Sequence, residues 1–241
     1  MASSPLMAIT LLTRAIEYDV IGRKLEALKL YQDGIESLLK ESKAETDAQK
    51  KRHYQNKIVE YMNRAEQVKE LLDRIKNKGV IKDKFHIVDD STGYDYHRIF
   101  NKYLNDSVRE ILIEEPYVRD HYQICNLVRF CELAVSSCTN LKYVQLMTIK
   151  DAKNNDEQGR AFHTLAENLQ QHAVKFVIEY SEHMHDRQVI LSNGYIVKIG
   201  RGLNYFKRSP SNYCLGAFSY NFRKCLETNV DVFYCPENDK S

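Results

Sequence analysis

Between residues 5 and 76 the apolar side chains recur every three or four positions, with no run of strict alternation, which is the pattern of helices that each bury one stripe. The spacing predicts helices over about 5–20, 23–42 and 46–77, with Gly22 at the first turn and the segment from Ser42 to Thr46 at the second. On a helical wheel Ile9, Leu12 and Ile16 line one stripe; Leu28, Tyr31, Ile35, Leu38 and Leu39 line another; Tyr61, Ala65, Val68, Leu72 and Ile75 line the third. Short connections make neighbouring helices antiparallel, so the expectation is an all-α antiparallel three-helix bundle with the second and third helices side by side. Lys76-Asn77-Lys78-Gly79, basic residues ahead of a glycine free to turn left-handed, reads as a helix stop.

From residue 82 the pattern changes. β-branched and aromatic runs predict strands near 82–88, 108–114, 143–148, 174–180, 187–191, 195–200 and 230–234, alternating with helices near 94–104, 121–137 and 157–172. That alternation predicts a mixed α/β sheet. The chain therefore divides into two domains, 1–78 and 82–241. Asn193-Gly194, between Val189-Ile190-Leu191 and Tyr195-Ile196-Val197, predicts a hairpin closed by a type I′ turn. Glu114-Glu115-Pro116-Tyr117 reads as a strand end: adjacent strand residues point to opposite faces, so the two carboxylates cannot act on one atom.

Composition narrows the function. Charged residues make up 28% of the chain and the formal net charge is +2, which gives no support to a nucleic-acid-binding role. An anionic partner must be met by a local patch. The six cysteines form no C-x-x-C pair and read as buried, reduced thiols. No segment approaches the roughly 18 apolar residues of a membrane span, so a soluble, cytoplasmic protein is expected, with no cofactor and no metal.

Candidate chemistry falls in three places. On the third helix Met62, Glu66, Lys69 and Asp73 share a flank away from the core stripe, while the second helix offers Ala27, Leu30 and Gly34, small or apolar positions beside a shallow channel. An adaptable methionine flanked by acids suits a ligand helix carrying leucines and basic residues; the plainer reading makes Met62 a rim residue. In the second domain Lys198, Arg201, Lys207 and Arg208 fall within eleven positions, among Tyr195, Tyr205 and Phe206. Anionic lipid headgroups suit such a patch, with aromatics inserting at the interface; the alternatives are a solvated loop over packed aromatics and, third, a nucleic-acid groove. His183 and His185 with Asp186 could pass for a metal or catalytic cluster. His185-x-Arg187 followed by Gly200-Arg201-Gly202-Leu203-Asn204 looks like a degraded phospholipase D signature, H-x-K-x-x-x-x-D then G-S-x-N. Arg187 replaces the lysine and Ser192 stands where the aspartate belongs, which argues against catalysis.

Exact residues then point to families. Arg14-Ala15-Ile16-Glu17-Tyr18-Asp19, Glu26-Ala27-Leu28-Lys29-Leu30-Tyr31-Gln32-Asp33-Gly34-Ile35 and Tyr61-Met62-Asn63-Arg64-Ala65-Glu66 closely resemble the MIT (microtubule-interacting and trafficking) domain. The resemblance implies binding of C-terminal helices of ESCRT-III subunits between the second and third helices, with Met62 as apolar anchor and Glu66 and Asp73 facing basic ligand residues. Tyr103-Leu104, Glu114-Glu115-Pro116-Tyr117-Val118-Arg119, Leu127-Val128-Arg129-Phe130-Cys131-Glu132, His185-Asp186-Arg187 and Ile199-Gly200-Arg201-Gly202-Leu203-Asn204-Tyr205-Phe206-Lys207 resemble the phospholipase-D-like domain that follows an MIT domain in one family of two-domain proteins. This second resemblance implies a phospholipase-D-like fold without activity, binding to phosphoinositide-containing membrane, homodimerisation, and a role with ESCRT-III at late endosomes and at the midbody in abscission. The alternative class is a homodimeric phosphodiesterase or nuclease.

Overall fold

A computed structural model describes residues 5–77, 80–150, 155–181 and 184–235. It divides into two compact units, 1–78 and 79–241. The first is helical, with α1 (Pro5–Val20), α2 (Lys24–Ala44) and α3 (Ala48–Asn77). α2 packs along α1 on one side and α3 on the other. The buried cluster comprises Ala8, Leu12, Ala15, Ala27, Leu30, Tyr31, Ile35, Leu38, Ile58 and Val68.

The buried α1 stripe is rotated from expectation by less than one residue step, toward Ala8 and Ala15. Ile9 and Ile16 are exposed, and the inward face is Ala8, Leu12 and Ala15. Small residues allow α1 and α2 to approach closely, and that approach decides the phase. A Cβ on Gly34 would stand 2.7 Å from Leu12 Cγ. Leu39 is likewise exposed. The expected core position Ile75 and the helix stop at Lys78 and Gly79 lie outside the described side chains.

The second unit carries a seven-stranded mixed sheet, built from β1 (Val80–Ile87), β2 (Glu110–Glu114), β3 (Tyr143–Thr148), β4 (Lys175–Tyr180), β5 (Gln188–Leu191), β6 (Tyr195–Ile199) and β7 (Thr228–Tyr234) in the order β1-β7-β6-β5-β2-β3-β4. β2, β3 and β4 are parallel, joined through α5 (His121–Ser137) and α6 (Asn155–Gln171), and the remaining pairings are antiparallel. Such crossovers need intervening helices. Alternate strand residues, Ile111 and Ile113, Val144 and Leu146, Val189 and Leu191, Val197 and Ile199, Val230 and Val232, share one core with α5, α6 and the short α4 (Tyr96–Phe100). Asp120 caps α5 in a reciprocal capping box with Gln123.

The β5–β6 hairpin forms where expected, by a different turn. Asn193 is absent from the positive-φ residues, whereas Gly194 has φ of +90°. The Gly194 N–H donates to Leu191 O, so Ser192 and Asn193 are the turn's central residues and Gly194 follows in the left-handed region. That is a three-residue connection. Asn193 is held by donating from Nδ2 to Tyr103 O at 2.9 Å.

Candidate functional site

On α3, Met62, Glu66, Lys69 and Asp73 stand in one exposed row, as helical spacing requires. Met62 is 53% exposed, and Val59, one turn earlier on the same row, is 57% exposed. Glu66 and Lys69 form a loose, exposed pair at 3.8 Å. Such a pair opposes little to an incoming ligand charge. The second-helix part of the expected channel is corrected: Ala27, Leu30 and Gly34 all lie in the buried interior, and Gly34 meets Leu11 and Leu12 of α1. Their spacing marks helix packing within the bundle, so the accessible surface is the α3 row.

A residue that sequence reasoning passed over holds this unit together. Asp19, in the last turn of α1, is buried. Its Oδ1 accepts from Lys24 Nζ at 2.6 Å and Arg64 Nη2 at 3.0 Å, and its Oδ2 from Arg64 Nε at 2.6 Å and the Tyr31 hydroxyl at 3.3 Å. All three helices meet on one carboxylate. Burial pushes its pKa up, but the hydrogen bonds from Arg64 and Lys24 outweigh burial and hold it below the ordinary value. The signal was present in the sequence: an acid at a helix C-terminus opposes the helix dipole and calls for a cationic partner.

In the second unit, a depression of about 480 Å³ is lined by Tyr117, His185, Arg187, Lys198 and Asp231 among others. His185 is exposed at its mouth; His183 lies outside the described residues. Arg187 donates to Gly200 O at 3.0 Å and lies over the Tyr117 ring. Ser192, at the position of the motif's aspartate, accepts the Arg109 and Glu110 N–H groups at 2.9 and 3.1 Å and so ties down the start of β2. Asn204 bonds Asn126 and Tyr117 O. Arg187, Ser192 and Asn204 of the degraded motif thus hold structural contacts.

Two family models match this chain: the MIT (microtubule interacting and transport) domain over residues 6–70, and the phospholipase D-like domain at the C-terminus of MIT over residues 93–234. MIT domain-containing protein 1 of mouse is 36% identical over 228 residues, covering 94% of this chain and 92% of the relative. The chain belongs to the MIT domain-containing protein 1 family.

Within this family member each cation of the expected basic patch has a local partner. Lys207 Nζ pairs with Asp89 at 2.7 Å and Asp90 at 3.1 Å, and Arg208 pairs with Asp120 at 3.3 Å. Arg201 donates to Glu227 O, and Lys198 lies over the Phe233 ring. The aromatics expected to insert at an interface point inward: Tyr205 and Phe206 are core residues, and Tyr195 packs against that core. Apolar exposure lies elsewhere, at Tyr213, Leu215, Phe218 and Phe222, in a segment whose lack of periodicity hid it.

Glu114 and Glu115 diverge as expected. Glu114 accepts from Gln188 Nε2, whereas Glu115 turns into the Gly200–Asn204 loop and accepts the Leu203 N–H at 2.9 Å and the Tyr117 N–H at 3.3 Å. A Cβ on Gly202 would overlap the Glu115 carboxylate. Burial raises the Glu115 pKa to about 7, against the lowering effect of those N–H groups.

Proposed function

We propose that this protein is a non-enzymatic adaptor coupling ESCRT-III subunits to acidic, phosphoinositide-containing membrane, in cytokinetic abscission and endosomal trafficking. Its MIT domain grips the C-terminal helix of an ESCRT-III subunit on the α3 row, and its phospholipase-D-like domain docks on membrane as a homodimer. It resides in the cytoplasm, peripheral on late endosomes and at the midbody. The observation carrying this reading is the exposed row of Val59, Met62, Glu66, Lys69 and Asp73 on α3 of an MIT domain. Its apolar residues precede its carboxylates, Glu66 by one turn and Asp73 by about three, which suits an amphipathic helix with leucines on one side and basic residues following.

Absence of activity is supported by the lost lysine and aspartate and by the structural contacts of Arg187 and Ser192. Calorimetry of the full chain with synthetic ESCRT-III tail peptides tests the partner. Binding of none of them would remove the adaptor reading. In parallel, the full chain is expected to hydrolyse no phosphodiester; turnover that His185→Ala abolishes would restore the enzyme alternative.

A further inference from the structure

From Arg187 to Leu226 the chain contains seven cations and no acidic residue, in a protein whose formal net charge is only +2. Inside that stretch lies a segment built with its apolar side chains outward. Tyr213 is 99% exposed, Leu215 84% and Phe218 77%. A loop free to rearrange would fold such side chains inward, because exposure of apolar surface is unfavourable.

Here the backbone is held from beneath. The Arg223 guanidinium, itself buried, donates to Gly216 O, to Ala217 O at 2.7 Å and to Lys207 O at 3.3 Å. Arg129 of α5 donates to Phe218 O at 3.0 Å and stacks on the Tyr220 ring. The Ala217 N–H closes a turn onto Cys214 O. Polar anchors therefore point to the fold and apolar side chains away from it, the reverse of an ordinary surface loop. Arg208 and Lys224 flank the segment with side chains 74% and 62% exposed, each in a single water-exposed ion pair. Pairs of that kind are weak and exchange readily.

We propose that residues 211–222 form an insertion loop that carries Tyr213, Leu215 and Phe218 into the headgroup region of an anionic bilayer, with Arg208 and Lys224 meeting lipid phosphates at its rim. This rests on the membrane-docking reading above and adds to it the element that enters the lipid. Apolar residues at the tip and cations at the rim match the two layers of an acidic membrane surface, hydrocarbon beneath phosphate. No acid lies within the stretch itself, and Asp120 and Asp90, which reach its rim from other segments, are held by Arg208 and Lys224 in exposed pairs that lipid phosphate can replace, which favours this occupant over another protein surface of mixed charge.

The chain has no tryptophan, so Leu215→Trp in the full-length protein places one reporter at the tip. It is mixed with vesicles of phosphatidylcholine and phosphatidylserine, and with pure phosphatidylcholine as control. Co-sedimentation with the acidic vesicles, a blue shift of tryptophan emission and quenching by brominated acyl chains are expected. Co-sedimentation without shift or quenching would overturn the insertion loop and leave docking through headgroups alone. No co-sedimentation would overturn both. A blue shift that grows with protein concentration before lipid is added would overturn the proposal in favour of contact with a second copy. The triple variant Tyr213→Ser, Leu215→Ser, Phe218→Ser is expected to partition at least about tenfold more weakly while keeping its circular dichroism; equal partitioning would also refute the loop.

Discussion

At the scale of single residues, two carboxylates with opposite environments make opposite predictions. Asp19 is ionised in a knot of cations, its pKa held below the ordinary value, so its stabilisation is present above the unfolded pKa and lost as pH falls through the folded one. Asp19→Asn is expected to destabilise the bundle by about 2 kcal/mol, the range for hydrogen bonds to charged groups, and to flatten the acid limb of its stability profile. Thermal melts across pH read both effects, and an unchanged acid limb would deny the knot its role. Glu115 is the reverse case. Its pKa rises to about 7, so the folded state binds the proton more tightly than the unfolded chain, and stability falls as pH rises between the ordinary carboxylate range and about 7. A shift of that size corresponds to something on the order of 3 kcal/mol. Glu115→Gln should remove this fall, although the amide satisfies only one of the two N–H groups and carries its own cost. The comparison is therefore of slopes against pH, and equal slopes would place the proton elsewhere. The place of Asp19 at a helix C-terminus signalled a need for a cation, but the partners of both carboxylates, Arg64 for Asp19 and Leu203 for Glu115, are distant in the chain and were not legible beforehand.

At the scale of elements, most of the fold was legible because helix and strand periods are local properties. The predicted helices over about 5–20 and 121–137 are α1 and α5, and the predicted strand 143–148 is β3. What failed was phase and approach. The α1 stripe was read from its largest residues, whereas the bundle buries Ala8 and Ala15, since only small side chains let α1 lie close to α2. Gly34 shows the same cause. Its Cβ position lies 2.7 Å from Leu12 Cγ, so Gly34→Ala should destabilise: overpacking costs roughly 1–3 kcal/mol, more than the gain of about 1 kcal/mol from helix propensity. A higher melting temperature for Gly34→Ala would mean that Leu12 moves aside freely. For α3, Met62→Asp is expected to weaken binding of an ESCRT-III tail peptide by at least about tenfold, because a carboxylate would be desolvated beneath the ligand's leucines. Helical content should hold, since Met62 is half exposed. Unchanged peptide affinity would move the ligand off this row.

At the scale of the whole molecule, the two units make separable contributions, and charge is the means of separating them. Lys198, Arg201, Lys207 and Arg208 were legible as a cluster in sequence. The partners that temper them, Asp89, Asp90 and Asp120, come from distant loops and were not. Each cation near an acidic leaflet contributes about 1 kcal/mol, and the two engaged in exposed ion pairs contribute less. Replacing all four by Glu does more than remove attraction, since at Lys207 and Arg208 it sets new carboxylates against existing ones. Flotation of that variant with phosphatidylserine vesicles is expected to fall to the level seen with uncharged vesicles, while its affinity for an ESCRT-III tail peptide stays that of the parent. Binding by the parent should weaken steeply with salt, because the screening length shortens from about 10 Å at 0.1 M to about 3 Å at 1 M. Residual flotation at high salt then measures the apolar share, which the insertion loop supplies and screening does not touch. A homodimer would double both shares on one particle and raise avidity without any new contact. Should the fourfold variant float as well as the parent at equal salt, docking through these four cations is wrong, and the membrane affinity must come from Tyr213, Leu215 and Phe218 with Lys224 beside them.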